Sequence, residues 1–145
     1  MKFILCCVVA VLFTLAVSVL CDVTKANPKQ ATLFSSFNKE TIYGRIEFFA
    51  SRVPIQTTNM VNIFGNFNST QGTIAVCLVT EEDYPYYVDN RDYKTCIKMT
   101  TNTKQQPEGT FNWAVKNQAM RLVFTNTALH GEVVFSASGY VEPRK

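Results

Sequence analysis

Histidine and thiol chemistry are scarce in this 145-residue chain: His130 is its one histidine, and only Cys77 and Cys96 lie beyond residue 21. That scarcity excludes several functions. A hydrolase needs a base to activate its nucleophile, most often histidine. His130 falls in Ala128–Gly131, which reads as a solvated turn between two strands. A zinc site needs several His or Cys ligands at suitable spacing, and the chain does not supply them. Cys77 and Cys96 are not spaced as a CxxC pair, which argues against redox catalysis. A Gly-rich phosphate loop, a GxSxG elbow and an HExxH motif are also missing. No catalytic residue, metal site or cofactor is therefore assigned, and a non-enzyme is expected.

Charge is sparse as well. Charged residues make up 17% of the chain, and 14 Lys and Arg against 11 Asp and Glu leave a net charge of +3 with no basic block. Nucleic acid and anionic membrane surfaces are poor partners for such a chain. After residue 21 no apolar run approaches transmembrane length, so no stable membrane anchor is expected once the leading segment is removed. A disordered chain is excluded by 11 Phe and 6 Tyr and by apolar residues that recur throughout.

The first residues carry an address. Lys2 supplies a cationic start, and Phe3 to Cys21 is apolar apart from Thr14 and Ser18. This is the layout of a secretory signal. Small residues in Ala16-Val17-Ser18 fit cleavage after Ser18, and the polar stretch opening at Asp22 fits cleavage after Cys21. The competing reading is an uncleaved anchor, since about 18 apolar residues can just span a bilayer. Either way the remainder faces the lumen or the exterior. Residues 1–21 are read as the signal peptide, 22–40 as a polar arm containing Pro28, and 41–145 as one domain, secreted and monomeric.

Within that domain the dominant period is two, the signature of a half-buried strand. Ile42, Ile46, Phe48 and Ala50 share one parity in 41–50, and Val61, Ile63 and Phe67 alternate with Asn62 and Asn66. The same alternation runs through Phe111, Trp113 and Val115, through Met120, Leu122 and Phe124, and through Val133, Phe135 and Ala137. Each run is bounded by Gly, Pro or Asn, and none keeps a helical stripe. Seven or eight short strands with one apolar face each bury those faces against one another. The fold class expected is all-β, an antiparallel two-sheet sandwich of jelly-roll type. A helical turn is expected only in Glu81–Asp89, where acidic residues suit a helix N-terminus.

Parity also places the cysteines. Cys77 lies opposite Ile74, Val76 and Leu78, and Cys96 falls beside Lys94 and Lys98, so both sulfurs occupy the face away from the main core. In an oxidising compartment such a pair forms a disulfide if the strands are neighbours. Asn68-Ser69-Thr70 is an N-glycosylation acceptor. Between the cysteines lies a concentration of carboxylates and tyrosines: Glu81, Glu82, Asp83, Tyr84, Tyr86, Tyr87, Asp89 and Asp92. One reading is a binding loop, because tyrosine offers contact area at small entropic cost. The other is that the tyrosines close the sandwich while the acids face water. A calcium site at Asp83, Asp89 and Asp92 matches no EF-hand spacing.

Arg121-Leu-Val-Phe-Thr-Asn-Thr127, a closing strand Glu132–Tyr140, and the earlier Val76–Tyr84 run into an acidic-aromatic loop form an order of elements. This order resembles the GOLD-type β-sandwich modules of p24-like cargo receptors and of many prokaryotic exported proteins, over about Val61 to Val141. The p24 proteins add a coiled coil, a membrane span and a sorting tail that find no counterpart here. The resemblance therefore implies an architecture and a tendency to mediate protein interactions, and no trafficking role. Two function classes remain. One is a secreted interaction module with an unknown protein or cell-surface partner, as in a venom, saliva or other extracellular fluid. The other is a carrier enclosing a small apolar ligand among Phe48, Phe67, Phe111, Trp113, Phe124 and Phe135.

Overall fold

A computed structural model describes residues 31–144; the expected signal peptide and residues 22–30 of the expected arm lie outside that range. Eight strands form two antiparallel four-stranded sheets. They are β1 Thr32–Tyr43, β2 Phe48–Val53, β3 Met60–Thr70, β4 Ile74–Thr80, β5 Lys98–Thr101, β6 Glu108–Lys116, β7 Met120–Asn126 and β8 Glu132–Arg144. The sheet orders are β1-β8-β3-β6 and β2-β7-β4-β5. Every strand thus lies beside the one that mirrors it in chain order: β1 with β8, β2 with β7, β3 with β6, β4 with β5. A long antiparallel ribbon wound across two sheets has this pairing, which is the jelly roll.

The alternation read from the sequence produces the core. Val61, Ile63 and Phe67 of β3 meet Val76 and Leu78 of β4 and Leu122 of β7, all buried between the sheets. Phe37 stands among Phe49, Phe124 and Phe135 with ring centroids 5.2, 5.5 and 5.6 Å away. Of the six aromatics assigned to a carrier cavity, five lie in or against the core between the sheets and one does not. Phe67, Phe111, Phe124 and Phe135 are core side chains, Trp113 packs beside Phe111 at 5.0 Å, and Phe48 faces the other side of its sheet.

Two boundaries differ from the sequence reading. Residues 32–40, assigned to the polar arm, belong to β1, which pairs with β8 from Thr32↔Val141 onward. Register shifts between Leu33 and Ser35 and between Phe37 and Glu40 break the alternation that would have revealed the strand. Residues 41–50 are not one strand either. A turn at 44–47 separates β1 from β2, and Ile46, grouped by parity with the core, is 82% exposed. Gly44 makes the turn possible: its φ is +59°, and a Cβ there would stand 2.9 Å from the Leu129 carbonyl oxygen.

Candidate functional site

Cys77 and Cys96 are bridged, with Cα atoms 5.5 Å apart and a sequence separation of 19. Cys77 sits in β4, but Cys96 precedes β5 rather than lying within a strand from Tyr93. A 3-10 turn, Tyr93–Thr95, intervenes. Asp92 creates it: its carboxylate accepts from the Lys94 N–H at 2.9 Å, and its carbonyl accepts from the Thr95 N–H at 3.1 Å.

The tethered segment crosses the outer face of the sheet β2-β7-β4-β5. Pro85 opens a short helix, α1 Tyr84–Asn90, where the acidic turn was expected. Both Glu81 oxygens lie 3.0 Å from the Arg121 Nε, and Arg52 adds a third contact at 3.3 Å. Arg121 also covers the Tyr84 ring at 4.1 Å. Burial acts against the charge on Arg121, but the Glu81 carboxylate outweighs it and holds the guanidinium above its ordinary value. At the far end Arg91 lies over Phe48 at 4.4 Å and donates to the carbonyls of Arg45 at 3.3 Å and Ile46 at 2.8 Å. Between these ends Tyr87 is completely buried with Cys77, Val79 and Val123, flanked by Tyr84 and Tyr93. Burial raises the Tyr87 phenol above its usual value.

Of the eight residues read as a binding loop, then, five serve internal contacts. Glu81, Tyr84 and Tyr87 pin the segment down, Asp83 accepts from the Thr80 hydroxyl at 2.8 Å, and Asp92 holds the 3-10 turn. Glu82, Tyr86 and Asp89 face solvent. Asp83 and Asp92, weighed with Asp89 as a calcium site, are engaged by the Thr80 hydroxyl and the Lys94 N–H. Among the described residues no group of three His, Cys, Asp or Glu side chains that could hold a metal ion is found.

The segment nonetheless supports something the sequence did not show. The carbonyls that Arg91 holds belong to the β1–β2 turn, at the end of the sandwich where the β3–β4, β5–β6 and β7–β8 connections also lie. There the Gly44 N–H donates to the Gly131 carbonyl at 2.7 Å, joining the turn 44–47 to the turn 127–131. Buried amides stiffen the neighbouring loops. Asn126 accepts from the Ala128 N–H at 2.9 Å and donates to Gly131 at 3.1 Å. Asn102 accepts from the Ile74 N–H at 2.7 Å and donates to Ser69 and Pro107 at 2.7 and 2.6 Å.

On this framework Tyr43, Ile46 and Leu129 project, 57%, 82% and 66% exposed. They line one shallow depression of about 470 Å³ together with His130 and Glu132. A second cleft of about 520 Å³ opens on the other side of the 127–131 turn, between Gln71, Lys104 and Val133. His130, read as a turn residue, is exposed at the boundary of the two.

The outer face of the other sheet is different in kind. Phe64 and Tyr140 stack there at 5.5 Å, amid side chains from Asn62, Asn66, Asn112 and Ser138. Asn68, the glycosylation acceptor, is exposed on the same face of β3.

No family model matches the chain, and no curated protein matches it. Among solved structures it is similar to a protein of Bacillus endospore appendages, described as forming disulfide-linked pili. That match has 9% identity over 83% of this chain and 95% of the other, with a TM-score of 0.39. It is also similar to the carbohydrate-binding module CBM36 in complex with calcium and xylotriose, at 12% identity over 79% of this chain and 95% of the other, TM-score 0.40. A capsid structure of Helicobacter pylori bacteriophage KHP30 matches at 9% identity over 81% and 95%, TM-score 0.38. Likeness of this degree carries nothing about what this chain does.

Proposed function

We propose that this chain is a secreted, non-catalytic interaction module that engages a protein partner through the loop end of its sandwich. The observation that carries this reading is the gathering of Tyr43, Ile46 and Leu129 around one depression, on turns joined by the Gly44–Gly131 hydrogen bond. Isolated exposed hydrophobes are ordinary, whereas large ones clustered on a rigid support mark contact surfaces. Charge favours a protein over a lipid surface, because Glu47 and Glu132 flank the apolar residues and would be repelled by anionic headgroups.

The disulfide supports an oxidising destination. Removal of the leading signal and a eukaryotic secretory route with a glycan on Asn68 belong to the same reading. The GOLD-type resemblance contributes only the architecture of an interaction module.

The test is capture from the extracellular fluid in which the protein accumulates. Wild type is compared with Ile46→Asp–Leu129→Asp and with Tyr86→Ser on α1, after thermal melting shows that all three are folded. A partner lost with the first variant and retained with the second is expected. The opposite pattern would return the contact surface to the Glu81–Asp92 segment. Equal capture by all three would sink both.

A further inference from the structure

We infer that the outer face of the sheet β1-β8-β3-β6 seats the chain's own N-linked glycan, attached at Asn68 and packed over the Phe64–Tyr140 pair. The inference rests on modification of Asn68, part of the secretory reading above.

Directly opposed residues of antiparallel strands share a face, so the register fixes what this surface holds. Glu108, Asn68 and Ser136 form one row across β6, β3 and β8. Thr110, Asn66 and Ser138 form the next, followed by Asn112, Phe64 and Tyr140, then Ala114, Asn62 and Glu142. The two middle rows contain no charged side chain. They hold amides, hydroxyls and two stacked rings, with Ser36 of β1 opposite Ser138 and the exposed Leu33 opposite Tyr140. The Ser138 hydroxyl donates to the Asn66 amide oxygen at 3.1 Å, and the Asn62 amide donates to Glu142 at 3.2 Å.

This composition fits a sugar. A pyranose offers apolar C–H surface to an aromatic ring and hydroxyls at its rim, which amides and hydroxyls can bond as donors or acceptors. An apolar protein core would leave the Asn66 and Asn112 amides unpaired at a cost.

Position selects the source of that sugar. Asn68-Ser69-Thr70 is the one acceptor triplet in the chain, and it lies on this face rather than on a loop. Asn68 and Phe64 are four residues apart on one strand, a span of about 13 Å, with Asn66 between them. A glycan leaving Asn68 toward Phe64 crosses the amide row first and the ring pair next. It also rises from the very surface that an external macromolecule would have to approach. Both outer faces of the sandwich are then covered, one by the disulfide-tied segment and one by the glycan. The loop end stays open.

The experiment uses the full chain secreted from a eukaryotic host. Peptide mass mapping reads occupancy of Asn68, and NMR of an isotope-labelled glycan on the intact protein reads ring-current shifts. Upfield-shifted protons on the core sugars are expected in the wild type and absent in Phe64→Ser–Tyr140→Ser. Enzymatic removal of the glycan is expected to lower the wild-type melting midpoint by about 4 °C and that of the variant by less than a quarter as much. An unmodified Asn68 overturns the inference together with the glycosylation reading. A modified Asn68 whose sugars show no ring-current shift overturns the seat alone, and needs no variant to fold. Saturable binding of a free neutral oligosaccharide to Asn68→Gln protein would make the face a receptor instead.

Discussion

Gly65 has no room for a methyl group. A Cβ there would stand 2.0 Å from the Ser138 carbonyl oxygen and 2.6 Å from Cζ of Phe111. Phe111 is its cross-strand partner, and the arrangement repeats one step along, where a Cβ on Gly109 would lie 2.3 Å from Cζ of its partner Phe67. Each ring lies over the glycine opposite it. The spacing Gly65-x-Phe67 against Gly109-x-Phe111 is visible in the sequence, but only the antiparallel register shows that the two are complementary. Because the nearest obstacle is backbone, relaxation is costly. Gly65→Ala is expected to destabilise the fold by about 3 kcal/mol, measured by urea unfolding. Tyr87 gives a second residue-scale expectation. Its folded-state pKa lies above that of the unfolded chain because burial disfavours the phenolate. Stability is thus fully present below about pH 10 and is lost as pH rises through the folded value, since the unfolded state releases its proton first. Tyr87→Phe should remove that alkaline loss while keeping the ring. Unfolding midpoints compared at pH 8 and above about pH 10 check the expectation, and an unchanged alkaline loss in the variant would place its origin elsewhere.

Among the elements, the disulfide-tied segment shows how far parity reasoning reaches. Alternation in β4 put Cys77 on the outer face and predicted its bridge to Cys96, and the structure contains it. The helical turn between them was legible from its acidic start. The segment's role was not. Whether tyrosines present themselves or cover a sheet depends on what lies beneath them, here Val79 and Val123 on strands far apart in sequence. β1 was misread for a local reason: its two register shifts break the period of two, so its residues pass for a polar arm. The segment as a buttress makes its own expectation. Replacing Cys77 and Cys96 with Ala should cost about 3 kcal/mol and expose residues 81–97 to proteolysis. Arg91→Ala leaves the bridge intact but withdraws the donors from the Arg45 and Ile46 carbonyls. Faster hydrogen exchange at the Gly44 amide, with little change in global stability, is expected of that variant. Unaltered exchange would mean that the turn holds itself.

The mirrored strand pairing has a consequence for the whole molecule that no single element reveals. β8, at the end of the chain, is not an edge strand; it lies between β1 and β3 and bonds to both. β1, in turn, delivers Phe37 into the cluster of Phe49, Phe124 and Phe135. The first and last strands therefore complete one core together. The sequence did contain both apolar faces, but the pairing of strands a hundred residues apart is decided by topology and by no local pattern. A chain begun at Thr41, where the alternation first becomes regular, would lose most of β1 and the Phe37 ring while retaining seven strands. Removal of a buried aromatic costs about 3–5 kcal/mol, a large share of the marginal stability of a domain this size. A chain ended at Gly131 would lose β8 and leave β1 and β3 without a common neighbour. The first truncation is expected to fold with a much lower urea midpoint, and the second to stay unfolded in far-UV circular dichroism and to aggregate. Cooperative unfolding of the chain ended at Gly131 would show that the two sheets do not depend on the ribbon being closed.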